Sequence, residues 1–383
     1  MTSEQRIVPI TLPDNRALRV VESLLDGSGV TLNGDAPWDP QIYHPDFCSR
    51  VLRHGTLGLG ESYMDGWWEC ERIDELACRL LQHGLGERAR HPSERLMYRL
   101  QAGLLNLQSK ARAYIVGETH YDLGNDLFAQ MLDATMCYSC GYWKDADNLH
   151  QAQLAKLDLA CQKLDLRPGM RVLDIGCGWG SFAEHAARHH GVSVIGITIS
   201  REQAELARQR CSGLPVDIQL MDYRDLAGRF DRIVSIGMFE HVGHRNYATY
   251  FQTVERLLDE EGLFLLHSIG SNSSEVSIDP WIDRYIFPNG VLPSARHIVD
   301  SSEGVLLLED WHNFGPDYDR TLLAWRDNFD AAWQTLAEHY SERTRRMFHY
   351  YLSVCAGAFR ARELQLWQVV FSQGRTSRYD APR

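Results

Sequence analysis

Val172-Leu173-Asp174-Ile175-Gly176-Cys177-Gly178-Trp179-Gly180 runs an apolar strand straight into three glycines at alternate positions, and an amphipathic pattern follows over 181–190. A side-chain-free turn at the carboxyl end of a strand is where a doubly wound sheet receives its ligand. Glycine suits it because it tolerates positive φ and lets a ligand come close to the backbone. The spacing constrains that ligand. Dinucleotide loops read GxGxxG, and P-loops add Gly-Lys-Ser/Thr. This stretch is GxGxG, with Asp174 two residues before the first glycine and no Lys-Ser/Thr pair. The rival interpretation is a tight strand-to-helix turn with no ligand.

Working outward, residues 149–164 carry a helical spacing of Leu154, Leu157, Cys161 and Leu164, stopped by Arg167-Pro168-Gly169. Strands are expected over 171–175, 193–198, 217–220, 232–236 and 263–268, with helices over 181–190, 201–211 and 246–258. Such alternation builds parallel βαβ units, so the expected class is α/β, a doubly wound, mostly parallel, Rossmann-like sheet. Beyond it an aromatic-rich tail is expected to add helices. Upstream, helices are expected over 16–25, 47–55, 73–84 and 92–113. They make a smaller, mainly helical N-terminal domain over 1–115, followed by a catalytic domain over 116–383.

With 383 residues, the chain is long enough for about two ordinary domains. Its net charge of −12 argues against nucleic-acid binding. No stretch approaches the roughly 18–20 apolar residues of a membrane span, and Met1 to Ile10 lacks the apolar core of a secretory signal. A cytoplasmic location is expected. The nine cysteines form no disulfide framework, and Cys137-x-x-Cys140 has no second pair or nearby histidine, so no metal centre is expected. One stretch is basic: Arg88, Arg90, Arg95, Arg99, Lys110 and Arg112 surround Leu96, Leu100, Leu104 and Leu107 at helical spacing. It reads as a packed helix with a solvated face, or as a helix lying on an anionic membrane surface.

The site should gather at the carboxyl ends of the strands. Strand one offers Asp174, Gly176 and Gly178, and Gly180 completes its turn. Strand two ends at Thr198, with Gln203 just beyond; Tyr223 and Arg224 follow strand three. Glu240 and His241 follow strand four, and His267 ends strand five. A carboxylate and an imidazole in one crevice can do general acid–base work or orient a bound base. Glu240 in a buried loop needs a partner, so a structural salt bridge is its rival role, and His241 is expected to cap a helix or face solvent.

These residues sit in longer runs: Gly58–Trp68, His120–Asp126, Tyr138-Ser139-Cys140, Thr198–Gln203, Gly237–Val242, Leu266–Ile269, Trp311–Tyr318, and Cys355 through Gln368. The first turn resembles motif I of S-adenosylmethionine-dependent methyltransferases. Together the runs resemble the cyclopropane-fatty-acyl-phospholipid synthases, relatives of the mycolic acid cyclopropane synthases, over nearly the whole chain. Thr198 stands where many methyltransferases have a ribose-binding acid, a departure this family shares.

The resemblance implies transfer of the sulfonium methyl of S-adenosylmethionine to the cis double bond of an acyl chain in an unsaturated phospholipid. The resulting carbocation loses a proton and closes a ring. By match, it implies cofactor contacts at Tyr138, Ser139, Asp174, Gly176, Gly178, Gly180, Thr198, Gln203, Tyr223 and Arg224. It implies a bound bicarbonate as base, held by Cys140, Glu240, His267, Tyr318 and the backbone of Ile269. Cys355 is not expected to act as a nucleophile, because the alkene attacks the methyl donor directly. The resemblance further implies a homodimer and a reversible peripheral contact with the inner face of the membrane. That prospect favours the basic stretch or the N-terminal domain as the lipid-docking surface.

Overall fold

A computed structural model describes residues 8–85, 124–276, 278–374 and 378–383. The expected helix over 92–113, the basic stretch, part of the His120–Asp126 run and the proposed boundary at 115/116 lie outside these residues. The N-terminal part comprises α1 (Arg16–Leu25), β1 (Gln41–Ile42), α2 (Phe47–Met64), β2 (Trp68–Glu69) and α3 (Ile73–Gln82). α2 extends past the expected end at residue 55. Gly55 takes φ 55° and kinks the helix, which then resumes to Met64.

The remainder begins with α4 (Asn125–Met131) and α5 (Leu149–Lys163), then β3 (Arg171–Ile175), α6 (Ser181–His190), β4 (Ser193–Thr198), α7 (Arg201–Arg210), β5 (Val216–Leu220) and β6 (Phe230–Ile236). It continues with α8 (Tyr247–Leu257), β7 (Leu258–Ser271), α9 (Pro280–Tyr285), α10 (Ala295–Ser302), β8 (Leu307–Asn313), α11 (Pro316–Leu336), α12 (Glu342–Arg360) and β9 (Leu364–Ser372). Local chemistry sets several starts. Asn148 caps α5 by accepting from the Gln151 amide, and Ser200 caps α7 by accepting from that of Gln203.

The seven-stranded sheet has the order β5-β4-β3-β6-β7-β9-β8. β3 pairs in parallel with β4 on one side and β6 on the other, so the chain reverses its direction of travel at β3. That reversal opens a crevice at the carboxyl ends of the strands. The fold is the expected mostly parallel, helix-flanked sheet, with one difference. The tail adds two strands as well as helices: β9 lies antiparallel between β7 and β8. A fully buried strand such as Leu-Gln-Leu-Trp-Gln-Val-Val-Phe-Ser shows no alternation, and periodicity alone does not separate it from a buried helix.

The described N-terminal helices share one hydrophobic core with the tail helices. Tyr63 and Trp68 meet Tyr350, and Trp281 packs on Tyr350 at 4.8 Å. Ion pairs reinforce the seam. Arg360 reaches Asp74, Glu75 and Asp319, and Arg346 reaches Glu69. The Asp74 side chain is fully buried; burial opposes its charge, but the guanidiniums of Arg72 and Arg360 hold its pKa down at about 2.

Candidate active site

A crevice with a cavity volume of about 210 Å³ opens over the ends of β3, β4 and β6. The GxGxG turn shapes its floor. Gly176 takes φ 80°, and a Cβ there would meet the Met238 side chain at 2.7 Å, so only glycine fits under Met238. Gly178 takes φ 53°, and a Cβ there would enter open space. A side chain at 178 would therefore occupy room the backbone leaves for a ligand.

Of the ten residues matched to a cofactor, nine line this crevice: Tyr138, Ser139, Asp174, Gly176, Gly178, Thr198, Gln203, Tyr223 and Arg224. Gly180 does not. It starts α6 with φ 84° and lies against Ala207 and Cys211 of α7, which makes it a packing position. Each polar liner is anchored by its neighbours. The Thr198 hydroxyl donates to the Gln203 amide oxygen at 2.9 Å and accepts from the Ser200 N–H. Arg224 closes a fork on Asp222, with both bonds at 2.7 Å. Ser139 is held at its carbonyl by Gln153 Nε2 (2.8 Å) and at its hydroxyl by Lys156 Nζ (3.0 Å).

Asp174 is 2 % exposed, and burial pushes its carboxyl up to about 7 while Lys156 pulls it down. Its Oδ2 has no hydrogen-bond partner among the described residues. A buried carboxyl oxygen left open beside a ligand-sized space suits a cationic group. His241, expected at a cap or on the surface, instead lines the crevice near Phe287, and burial lowers its pKa to about 4.

None of the five residues matched to the base site lines this crevice. The Ile269 N–H donates to Glu240 Oε1 at 2.6 Å, while Glu240 Oε2 is buried without a partner among the described residues. Burial raises the Glu240 carboxyl to about 7, against the opposing hydrogen bonds from the Ile269 backbone and Ser268. His267 is 1 % exposed. Its Nδ1 faces Gln368 Nε2 at 3.4 Å and its Nε2 is unpartnered, and burial, with Lys156 and Lys163 nearby, keeps the ring neutral. Burial holds the Tyr318 hydroxyl protonated, with Cys140, Tyr138 and Glu240 close enough to add to the effect. Burial likewise keeps Cys140 a thiol; its sulfur lies 3.1 Å from the Gly141 carbonyl and 3.9 Å from the Thr321 hydroxyl.

An aromatic wall surrounds Tyr138. Its ring meets Trp325 and Phe128 at 5.2 Å, and its hydroxyl lies 3.1 Å from that of Tyr351. Cys355 is pushed up to about 12 by burial, so it stays a thiol at neutral pH. Lys156, Gln153, Gln368 and Phe287 were not singled out from the sequence. The one signal in the sequence was the spacing of Gln153 and Lys156, three residues apart on the helix that becomes α5; that both are fully buried emerges only from the structure. Among the described residues, the one group with metal-ligand atoms close together is Cys161, His185 and His190, none of which lines the crevice.

The chain resembles proteins whose names converge. It is 58% identical to the cyclopropane-fatty-acyl-phospholipid synthase of Escherichia coli (strain K12) over 372 residues, 97% of each chain. It is 42% identical to a probable fatty acid methyltransferase of Pseudomonas putida over 91% of this chain and 90% of that one. Among solved structures, mycolic acid cyclopropane synthase CmaA1 complexed with SAH and CTAB superposes with a TM-score of 0.64 at 33% identity, covering 67% of this chain and 97% of that chain. The family model for mycolic acid cyclopropane synthetase matches residues 108–369, which span the crevice and the residues matched to the base site. With that match and those identities, the chain belongs to the cyclopropane synthetase family of S-adenosylmethionine-dependent methyltransferases.

Proposed function

We propose that this protein cyclopropanates cis-unsaturated acyl chains of membrane phospholipids, using S-adenosylmethionine as methyl donor and a bound bicarbonate as base. The observation that carries the chemistry is that Glu240 Oε2 and His267 Nε2 are both buried without a hydrogen-bond partner among the described residues. Buried polar atoms are satisfied in all but a few places, so each of these two is open to a small polar ligand.

The donor supplies an electrophilic methyl group. The alkene's π electrons form the new carbon–carbon bond, the carbon–sulfur bond breaks toward sulfur, and S-adenosylhomocysteine is the leaving group. The acyl chain is left with a carbocation beside the added methyl. Loss of a proton from that methyl lets the C–H electrons close the three-membered ring. The chain's own residues have two tasks here: excluding water, which would capture the cation as an alcohol, and holding a base that takes hydrogen from carbon.

The ring faces of Tyr138, Trp325 and Phe128 serve the first task and favour nearby positive charge. Cys140, Glu240, His267 and Tyr318 serve the second. With Tyr318 and Cys140 held protonated and Glu240 near half-protonated at neutral pH, they offer hydrogen-bond donors to an anion. Bound bicarbonate would supply a proton acceptor that is itself a poor nucleophile toward the cation.

Vesicles of unsaturated phospholipid with methyl-labelled S-adenosylmethionine should yield acyl chains heavier by one CH2 with the double bond gone. Label absent from every unsaturated lipid tried would sink the reading. Rigorous removal of bicarbonate should lower the rate and its return restore it; indifference would assign the base to Glu240 or His267. A second reading has support in the 42% identity to the probable fatty acid methyltransferase. If the cation instead lost a proton from the acyl chain, the product would be a methyl-branched alkene with the same added CH2 but no ring, and NMR of the product separates the two.

We propose further that the protein works as a homodimer and docks reversibly on the inner face of the membrane through its basic stretch at 88–112 or another part of its N-terminal domain. Among the described residues no helix is long and apolar enough to cross a membrane. Sedimentation velocity and vesicle flotation test these two points.

A further inference from the structure

Helix α5 places an ammonium group under the crevice. Lys156 is 1 % exposed, lines the cavity, and donates to the Ser139 hydroxyl at 3.0 Å. One turn earlier Gln153 donates to the Ser139 carbonyl at 2.8 Å, so α5 grips this residue twice. Among the described residues its hydrogen-bond partner is a neutral hydroxyl, and a buried cation so placed is expensive and calls for an anion nearby. Two acids line the same crevice: Asp222, which Arg224 grips, and Asp174, whose Oδ2 has no hydrogen-bond partner among the described residues.

We propose that Lys156 is a positioning residue of the methyl-donor pocket, orienting the Ser139 hydroxyl and supplying the positive charge that holds Asp174 as a carboxylate able to receive a cationic donor. This rests on the crevice being the S-adenosylmethionine pocket.

Other titratable groups facing Asp174 cannot substitute. Cys177 on the turn, Cys211 at the end of α7 and Tyr250 on α8 all sense its charge, yet burial keeps each of them neutral at neutral pH. Lys156 is the cation acting on Asp174, and its field reaches Cys140 and His267 as well. One ammonium thus links the crevice to two of the residues matched to the base site.

The test is calorimetric binding of S-adenosylhomocysteine to the full chain from about pH 6 to about pH 9, in wild type, Lys156→Met and Lys156→Arg. This readout needs neither lipid nor turnover. Wild-type affinity should rise as Asp174 ionises near 7. In Lys156→Met the midpoint should move up by about one pH unit or more, leaving binding roughly tenfold weaker at neutral pH and converging with wild type at alkaline pH. Lys156→Arg should keep the wild-type midpoint.

A loss in Lys156→Met that is the same at every pH, or no loss, overturns the proposal. Where methionine at 156 prevents folding, Lys156→Gln carries the same expectation. Asp174→Asn must erase the pH step in the otherwise wild-type chain, and a step that survives also overturns the assignment. A wild-type chain that fails to bind S-adenosylhomocysteine at all refutes the methyl-donor pocket itself, and this proposal with it.

Discussion

Glu240 is a carboxyl placed where ionising is costly. Its pKa of about 7, against an ordinary 4.5, corresponds to about 3 kcal/mol of instability once the group is charged in the folded state. The folded state therefore binds the proton more tightly than the unfolded one, and this contribution to stability is lost as pH rises from about 4.5 to about 7. Glu240→Gln removes the charge while its amide oxygen can still accept from Ile269. The variant should melt higher than wild type at pH about 8 and match it at pH about 4, as read by calorimetry. Equal melting at both pH values would mean that the carboxyl is not desolvated. Activity should move the other way, with bicarbonate stimulation weakened or lost, because the site's fourfold set of donors is altered. Stability given up at a reactive centre is a common pattern.

At the scale of elements, α3 and α12 are tied by Arg360, which spans Asp74, Glu75 and Asp319. Arg360→Met should cost about 1–2 kcal/mol, less than a fully buried pair because the guanidinium is a quarter exposed. Proteolysis should then release the N-terminal part first; unchanged protease resistance would argue that apolar contacts alone hold the seam. Elements whose cause is local were legible in the sequence. The GxGxG turn, Asp174, and the bounds of β3, α6 and β4 follow from periodicity and turn chemistry within a few residues. What escaped depends on distant partners. Gln368 reaches His267 only because β9 pairs with β7, residues 101 apart in sequence. Lys156 reads as the polar face of an amphipathic helix until sheet and helices bury every side of α5. The strand-end reading singled out Glu240 and His267, and the family resemblance filled part of the remaining gap by naming Cys140 and Tyr318, whose neighbours the local pattern does not reveal.

For the whole molecule, the helices at 16–82 and the tail helices share a core, so the two ends of the sequence stabilise each other. Removal of residues 8–85 should expose Tyr63's partner Tyr350 and the Trp281 ring, and leave a catalytic part that aggregates on heating. A catalytic part that stays monodisperse with wild-type melting would contradict a shared core. The position of β9 carries a consequence for how the protein is made. Because this strand slots between β7 and β8, a nascent chain that has not yet delivered residues 364–372 has an open gap in its sheet. His267 then lacks the neighbour that faces its Nδ1. The crevice draws none of its lining from these residues and can form early on the ribosome, whereas the surroundings of His267 are complete only when synthesis is nearly finished. On the proposed reading, an unfinished chain could bind its reagent while lacking the finished setting of the base that ends the reaction.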